Sequence, residues 1–242
     1  MSRITWLGPG DPADAFPPVE AALNEPDGLL AAGGDLSSER LLYAYRKGIF
    51  PWYDEGQPLL WWSPDPRCVL RPGDFRLSRR NRRYIRQSGD VLRYNTAFGD
   101  VIRACAGPRR SLQGTWITTD MVRAYERLHK EGWAHSVEVW RDDRLVGGLY
   151  GIAIGRVFFG ESMWSAEPNT SKTALLSMAR SMDKGDFGLL DCQVLSNHLV
   201  GLGATVIPRS EFLSIIEPLC EPVRQFENWP SDPIPVAELL PE

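Results

Sequence analysis

Apolar residues change their spacing along this chain, and the change falls near residue 66. Through residues 1–66 they come in short runs broken by Pro, Gly and Trp. One helix stands out there. Leu41, Leu42 and Tyr45 give it an apolar face, Asp35 or Ser37 can cap it, and Gly48 ends it. The rest of this stretch reads as short strands and loops. Leu59-Leu60-Trp61-Trp62 has the pattern of a buried strand, stopped by Ser63-Pro64-Asp65-Pro66. Those prolines predict a boundary between a small N-terminal domain over 1–66 and a larger domain over 67–242.

From Cys68 onward, helical and strand spacings alternate. Ser78 caps a predicted basic helix that ends near Gly89, and Val91–Tyr94 is a short strand. A helix opened by Asn95 or Thr96 puts Phe98, Val101, Ile102 and Cys105 on one face. Another, opened by Thr118 or Thr119, turns Val122, Tyr125 and Leu128 inward and stops before Gly132. His135–Trp140 alternates as a strand, Arg141-Asp142-Asp143-Arg144 is a turn, and Leu145–Ile154 and Arg156–Phe159 are strands joined at Gly155. A helix capped by Asn169 or Ser171 carries Leu175, Leu176, Met178 and Met182 and stops at Gly185. Leu189–Val194 is a buried strand. A short helix from Ser196, a strand at Ala204–Ile207 and a helix from Ser210 follow, then an acidic, Pro-rich tail. No internal repeat is visible. The order predicts an α/β (α+β) fold with a mixed central sheet.

With 242 residues, 43% of them hydrophobic, the chain can build one large core or two small ones. No apolar run reaches the roughly 18–20 residues of a membrane span, and Arg3 alone precedes Pro-rich sequence, so no secretory leader or membrane partner is expected. Cys68, Cys105, Cys192 and Cys220 have apolar neighbours and no CxxC spacing, which suits buried free thiols in a reducing cytoplasm. Net charge is only −4, but arginines 76, 79, 80, 82, 83 and 86 crowd the stretch from Arg76 to Gln87 without one acid. On a helix Arg79, Arg82, Arg83 and Arg86 share a face. Such a stripe can follow a phosphate backbone, whereas solvated helix faces usually mix signs.

Two acids sit inside apolar runs. Glu161 follows Phe158-Phe159-Gly160, and Asp191 lies between Leu189-Leu190 and Val194. A carboxylate in such surroundings needs a partner or a task, since burying it unpaired is costly. Gln193, two residues beyond Asp191, falls on the same strand face. An acid and an amide together can orient an amine. From the residues alone, cation binding, activation of an amine and a structural ion pair all remain open for these acids. Met163, Leu175, Met178 and Leu190 can line an apolar pocket beside them or simply fill core.

Other patterns carry less. Gly160-Glu161-Ser162-Met163-Trp164 lacks the last glycine of a nucleophile elbow. Arg144-Leu145-Val146-Gly147-Gly148 is close to a coenzyme A pyrophosphate loop, but Leu149 stands where a small residue belongs, and the stretch continues as a strand. Ser171-Lys172-Thr173 lacks the glycines of a P-loop. Glu126 and His129 have no second pair for a dinuclear metal, and His135 and His198 fit hydrogen-bonding roles better than ligation.

Several ordered blocks together resemble one family. They are Glu25-Pro26-Asp27-Gly28-Leu29-Leu30, Gly33-Gly34-Asp35-Leu36, Gly48-Ile49-Phe50-Pro51-Trp52, Trp61-Trp62-Ser63-Pro64-Asp65-Pro66-Arg67, Gly114-Thr115-Trp116-Ile117, His135-Ser136-Val137-Glu138-Val139-Trp140, Gly160-Glu161-Ser162-Met163 and Asp191-Cys192-Gln193-Val194. From about residue 16 to about residue 215 the chain resembles the bacterial leucyl/phenylalanyl-tRNA–protein transferases. The resemblance implies a small N-terminal domain joined to an N-acetyltransferase-like domain. It implies transfer of Leu or Phe from Leu-tRNA or Phe-tRNA to the α-amine of proteins beginning with Arg or Lys, which marks them for degradation. It implies no metal and no cofactor, because the tRNA ester is already activated. A monomer is expected, in the cytoplasm that the cysteines suit. By the same resemblance Asp191 and Gln193 belong to the reacting centre, and Glu161 with Asp191 to acceptor binding. Leu149, Phe158, Met163, Leu175, Met178 and Leu190 form the amino-acid pocket. Trp52 and Trp116 meet the tRNA 3′ end, and the six arginines meet its backbone. A coenzyme A-dependent N-acetyltransferase and a non-catalytic RNA-binding module are the competing expectations.

Overall fold

The computed structural model describes residues 4–107 and 117–240. Two sheets lie on either side of the Ser63–Pro66 segment. The first holds β1 (Thr5–Leu7), β2 (Leu29–Gly33), β3 (Phe50–Pro51) and β4 (Leu60–Trp62) in the order β1-β2-β4-β3. Between β2 and β3 the chain forms α1 (Ser38–Arg46), whose first turn is capped by Ser37 Oγ accepting the Arg40 N–H. Gly48 ends it at φ +70°, a left-handed turn that favours glycine, and a Cβ there would press on the Leu213 methyl 2.8 Å away.

The second sheet holds β5 (Arg67–Leu70), β6 (Val91–Tyr94), β7 (Ala134–Arg141), β8 (Arg144–Ile154), β9 (Val157–Ser165), β10 (Leu189–Gln193), β11 (Thr205–Ile207) and β12 (Ile234–Pro235). Its order is β11-β5-β10-β9-β8-β7-β6-β12. β9 and β10 are parallel, whereas β7, β8 and β9 form an antiparallel meander, so the sheet is mixed as expected. The helices are α2 (Arg79–Gln87), α3 (Phe98–Ala106), α4 (Thr119–Lys130), α5 (Thr170–Asp183), α6 (Asn197–Val200) and α7 (Arg209–Leu219).

Apolar residues cover both faces of this sheet. On one side Phe159 and Tyr150 pack with α3, α4, α1 and the first sheet, through Val101, Tyr125, Tyr45 and Trp61. On the other, Phe158 and Leu149 pack with α2, α5 and the tail, through Ile85, Leu175, Met178 and Val236. The first cluster runs unbroken from Leu41 and Trp61 to Val69 and Phe159, so the two sheets share a core.

Four elements depart from expectation, and contacts made by neighbouring strands account for them. β7 does not alternate between core and water, because its polar His135, Ser136 and Glu138 are buried too. Glu138 accepts from the Ala97 N–H at 2.9 Å and from the Thr96 and Ser136 hydroxyls. The cap of α3 therefore comes from a neighbouring strand, and neither Asn95 nor Thr96 supplies it. β9 does not stop at Phe159 but continues to Ser165, because β8 pairs with Gly160–Ser165 despite the polar residues there. Asn169 precedes α5 at φ +68° without capping it, and the Thr170 hydroxyl instead donates to the carbonyls of Val146 and Glu167.

The tail is packed. Gly155 N–H donates to the Arg224 carbonyl at 2.9 Å, and the Trp229 ring lies 4.6 Å from that of His135. No helix among the described residues is long and apolar enough to cross a membrane.

Candidate active site

The parallel contact between β9 and β10 lasts only three residue pairs, from Leu189–Val157 to Asp191–Phe159. Beyond it β9 stays with β8, while β10 shifts register against β5 between Asp191 and Gln193. The strands part, and a cavity of about 300 Å³ opens beside them. Leu149, Phe158, Met163, Leu175 and Leu190 line it. Met178 is fully buried behind the wall and does not line it. Tyr150, Gly160, Ser162 and Cys192 line it too, and so do Ser196, His198 and Leu199 around α6. The sequence did not single out these last three for this, because a four-residue helix shows no pattern of its own.

Glu161 forms the polar end. It is 8% exposed and lines the cavity. The Tyr45 and Tyr125 hydroxyls lie 2.7 and 2.8 Å from its two oxygens and also touch each other; the two phenolic protons serve two of these three contacts at a time, and both go to Glu161 when it is ionised. Gln193 Nε2 adds a third hydrogen bond at 2.7 Å. Burial pushes the Glu161 carboxyl up to about 7, against the pull of these three donors and with a further push from Asp191. Burial likewise raises both tyrosines well above their usual range. An ionised carboxylate offers about four acceptor sites, so three donors leave it room for one more.

Asp191 lies one layer further back. It is completely buried and is not part of the cavity wall. Arg67 grips it with two hydrogen bonds, Nε to Oδ1 at 2.9 Å and Nη2 to Oδ2 at 2.6 Å. The Gln193 N–H also donates to Oδ1, at 2.9 Å. Arg67 Nη1 reaches the Gly48 carbonyl, and its guanidinium carbon lies 4.8 and 4.6 Å from the ring centroids of Phe50 and Phe212. Of the roles left open for Asp191, the structure shows the ion pair. Its shared strand face with Gln193 is corrected as well. The register shift and the left-handed backbone of Gln193, φ +61°, turn the amide to Glu161 instead.

Sequence reasoning missed Arg67, Tyr45 and Tyr125 as parts of this site. The signals were present. Arg67 precedes the apolar run Cys68-Val69-Leu70, and both tyrosines sit on apolar helix faces where a hydroxyl needs a partner.

The remaining candidates lie elsewhere. Arg79, Arg80, Arg82, Arg83 and Arg86 are exposed on α2, with Arg76 exposed just before it. Ser78 caps this helix and Ile85 is its one buried residue. Trp52 is half-exposed, packs against Trp62 at 5.8 Å and is outside the cavity wall. Trp116 lies outside the described residues. Among the described residues no three His, Cys, Asp or Glu side chains group as a metal site requires.

Two family models match the chain. Residues 34–65 match the leucyl/phenylalanyl-tRNA protein transferase N-terminal domain, and residues 69–217 match leucyl/phenylalanyl-tRNA protein transferase. Curated relatives carry the name leucyl/phenylalanyl-tRNA–protein transferase. One from Thiobacillus denitrificans is 56% identical over 83% of this chain and 88% of its own. One from Aromatoleum aromaticum is 57% identical over 86% and 87%. One from Saccharophagus degradans is 48% identical over 95% of both. Among solved structures, a GCN5-related N-acetyltransferase from Kribbella flavida covers 68% of this chain and 58% of its own, at 13% identity and a TM-score of 0.34, a likeness too low to carry an argument.

Proposed function

Because the chain belongs to the leucyl/phenylalanyl-tRNA protein transferase family, we propose that the cavity, the Glu161–Gln193 pair and the arginine helix are three parts of one transfer site. The enzyme moves an amino acid from tRNA to a protein. The observation that carries the assignment is the carboxylate–amide pair at the polar end of an apolar cavity.

The leucyl or phenylalanyl side chain enters the cavity, against Leu149, Phe158, Met163, Leu175 and Leu190. Its ester carbonyl then sits near Gln193. The acceptor α-amine attacks that carbonyl, an amide bond forms, and the ester C–O bond breaks. The 3′-terminal ribose oxygen leaves with the proton that the amine gives up. Because Gln193 Nε2 is committed to Glu161, its Oε1 remains to accept a hydrogen bond from the amine. The remaining acceptor site of Glu161 holds a cationic acceptor, which favours proteins beginning with Arg or Lys. Asp191 contributes at one remove, by fixing the Gln193 backbone. Trp52 and Trp116 stack against the tRNA 3′ end. Catalysis on this view is mostly positioning of two large substrates. The reaction takes place in the cytoplasm on a monomer, and its products are marked for degradation.

The test uses radiolabelled Leu-tRNA and two reporter proteins, one beginning with Arg and one with Gly. Label is expected on the Arg reporter alone. Equal labelling of both would overturn the cationic acceptor site. Label bound covalently to the enzyme would overturn direct transfer. Tight tRNA binding with no transfer to any protein would favour an RNA-binding module.

The six arginines are assigned to the tRNA backbone. Each phosphate contact removed should lower the salt dependence of binding by about one in log–log slope, similarly for all tRNAs. Arg79→Ala combined with Arg83→Ala is therefore expected to lower the slope by about two. Titrations of tRNA at several salt concentrations measure it, and an unchanged slope would remove α2 from the interface.

A further inference from the structure

The four cysteines are unbridged, and two of them meet. Cys68 lies on β5 and Cys192 on β10. Asp191 pairs with Val69 and Gln193 with Cys68, so Cys192 is the extra residue of a bulge and stands with Gln193 opposite Cys68. The two thiols meet, and their contact holds Cys68 below the usual thiol range, whereas the same contact together with burial pushes Cys192 well above it. Opposed residues of antiparallel strands have Cα atoms about 4.5–5.5 Å apart, inside the roughly 4.4–6.8 Å that a disulfide spans. Cys68 is buried, whereas Cys192 is half-buried and lines the cavity. A small oxidant entering the cavity meets Cys192 first and finds Cys68 behind it.

We propose that Cys68 and Cys192 form a redox switch whose disulfide shuts the transfer site. The consequence for activity rests on the transferase assignment, but the crosslink itself does not. With hydrogen peroxide as oxidant, the Cys68 sulfur, the one that carries the thiolate, attacks a peroxide oxygen reached through the cavity past Cys192, becomes a sulfenic acid and releases water. The Cys192 sulfur then attacks that sulfenic acid, the S–S bond forms, and a second water leaves. Two thiols and one peroxide become one disulfide and two waters. The bond falls between Asp191 and Gln193, where the Gln193 backbone is held left-handed. Drawing Cys192 onto β5 moves the cavity wall and pulls the Gln193 amide off Glu161. A disulfide positioned this way acts transiently in a reducing compartment.

The test treats the full-length protein with hydrogen peroxide, blocks free thiols and maps peptides without reductant. Leucine transfer is measured before and after dithiothreitol. A peptide joining Cys68 to Cys192 is expected, with transfer reduced on the order of 100-fold, as misplacement by about 1 Å can do, and restored by the reductant. Cys68→Ala is expected to match the reduced wild type and to stay active at peroxide doses that silence it. No linked peptide, full activity of the linked protein, or equal inhibition of Cys68→Ala would overturn the switch. If the reduced protein transferred nothing, the transferase assignment would fall, and the linked peptide would still decide the pairing.

Discussion

Arg67→Met is expected to destabilise the protein by about 3–5 kcal/mol, the cost of leaving one partner of a buried ion pair alone. Asp191 has no exposure, and both its oxygens are satisfied by Arg67 and the Gln193 N–H. Without the guanidinium, the carboxylate must stay charged in an apolar layer or take up a proton. Urea unfolding measures the loss as a lower midpoint at a similar slope. The double replacement Arg67→Met with Asp191→Leu is expected to regain much of that stability, since well-packed apolar residues often replace a buried pair at little cost. It should not regain transfer, because the Gln193 N–H then has no acceptor and the amide loses its anchor. A single variant as stable as wild type would show that the pair contributes nothing. A double variant with normal kcat would show that Asp191 does not act through Gln193.

Glu161→Gln is expected to lower kcat/KM for Arg-starting acceptors by about 100- to 1000-fold, the range lost when one well-placed electrostatic group is removed from a reacting centre. Its pH dependence separates this group from others. The carboxyl titrates near 7 in the folded protein and near 4.5 when exposed. Cation binding needs the charged form, so wild-type kcat/KM should rise with pH through about 7, a limb the glutamine variant lacks. Stability runs the opposite way. The folded state holds the proton more tightly than the unfolded state, so its advantage is complete below pH 4.5 and is lost as pH rises to about 7. Urea midpoints of the wild type should fall across that window, whereas those of Glu161→Gln stay flat. Parallel midpoints would mean that Glu161 is not the titrating group.

Much of this architecture is legible in the residues. Ser37, Ser78 and Thr118 mark helix starts because a side-chain oxygen there takes up an otherwise unpaired N–H. Met163 and Leu190, apolar residues beside the two acids, line the cavity, as does Leu149, which only the family resemblance singles out. Local pattern fails where a distant group does the work. The cap of α3 is a glutamate on β7, and the extension of β9 depends on its partner strand. The site fails to read out for the same reason. Asp191 and Glu161 look alike in sequence, each an acid in an apolar run. Arg67 neutralises one from 124 positions away, while two tyrosine hydroxyls keep the other at the cavity.

The packed tail has a consequence for how copies of this chain meet. β6 would otherwise be the outermost strand of the eight-stranded sheet, with a row of unpaired amides on which another chain could build. β12 covers that row with two residues, pairing Ile234 with Leu92 and Pro235 with Val91. Proline carries no N–H, so the strand that covers the edge makes a poor template itself. A segment with almost no regular structure thereby blunts this edge of the sheet as a template for another chain.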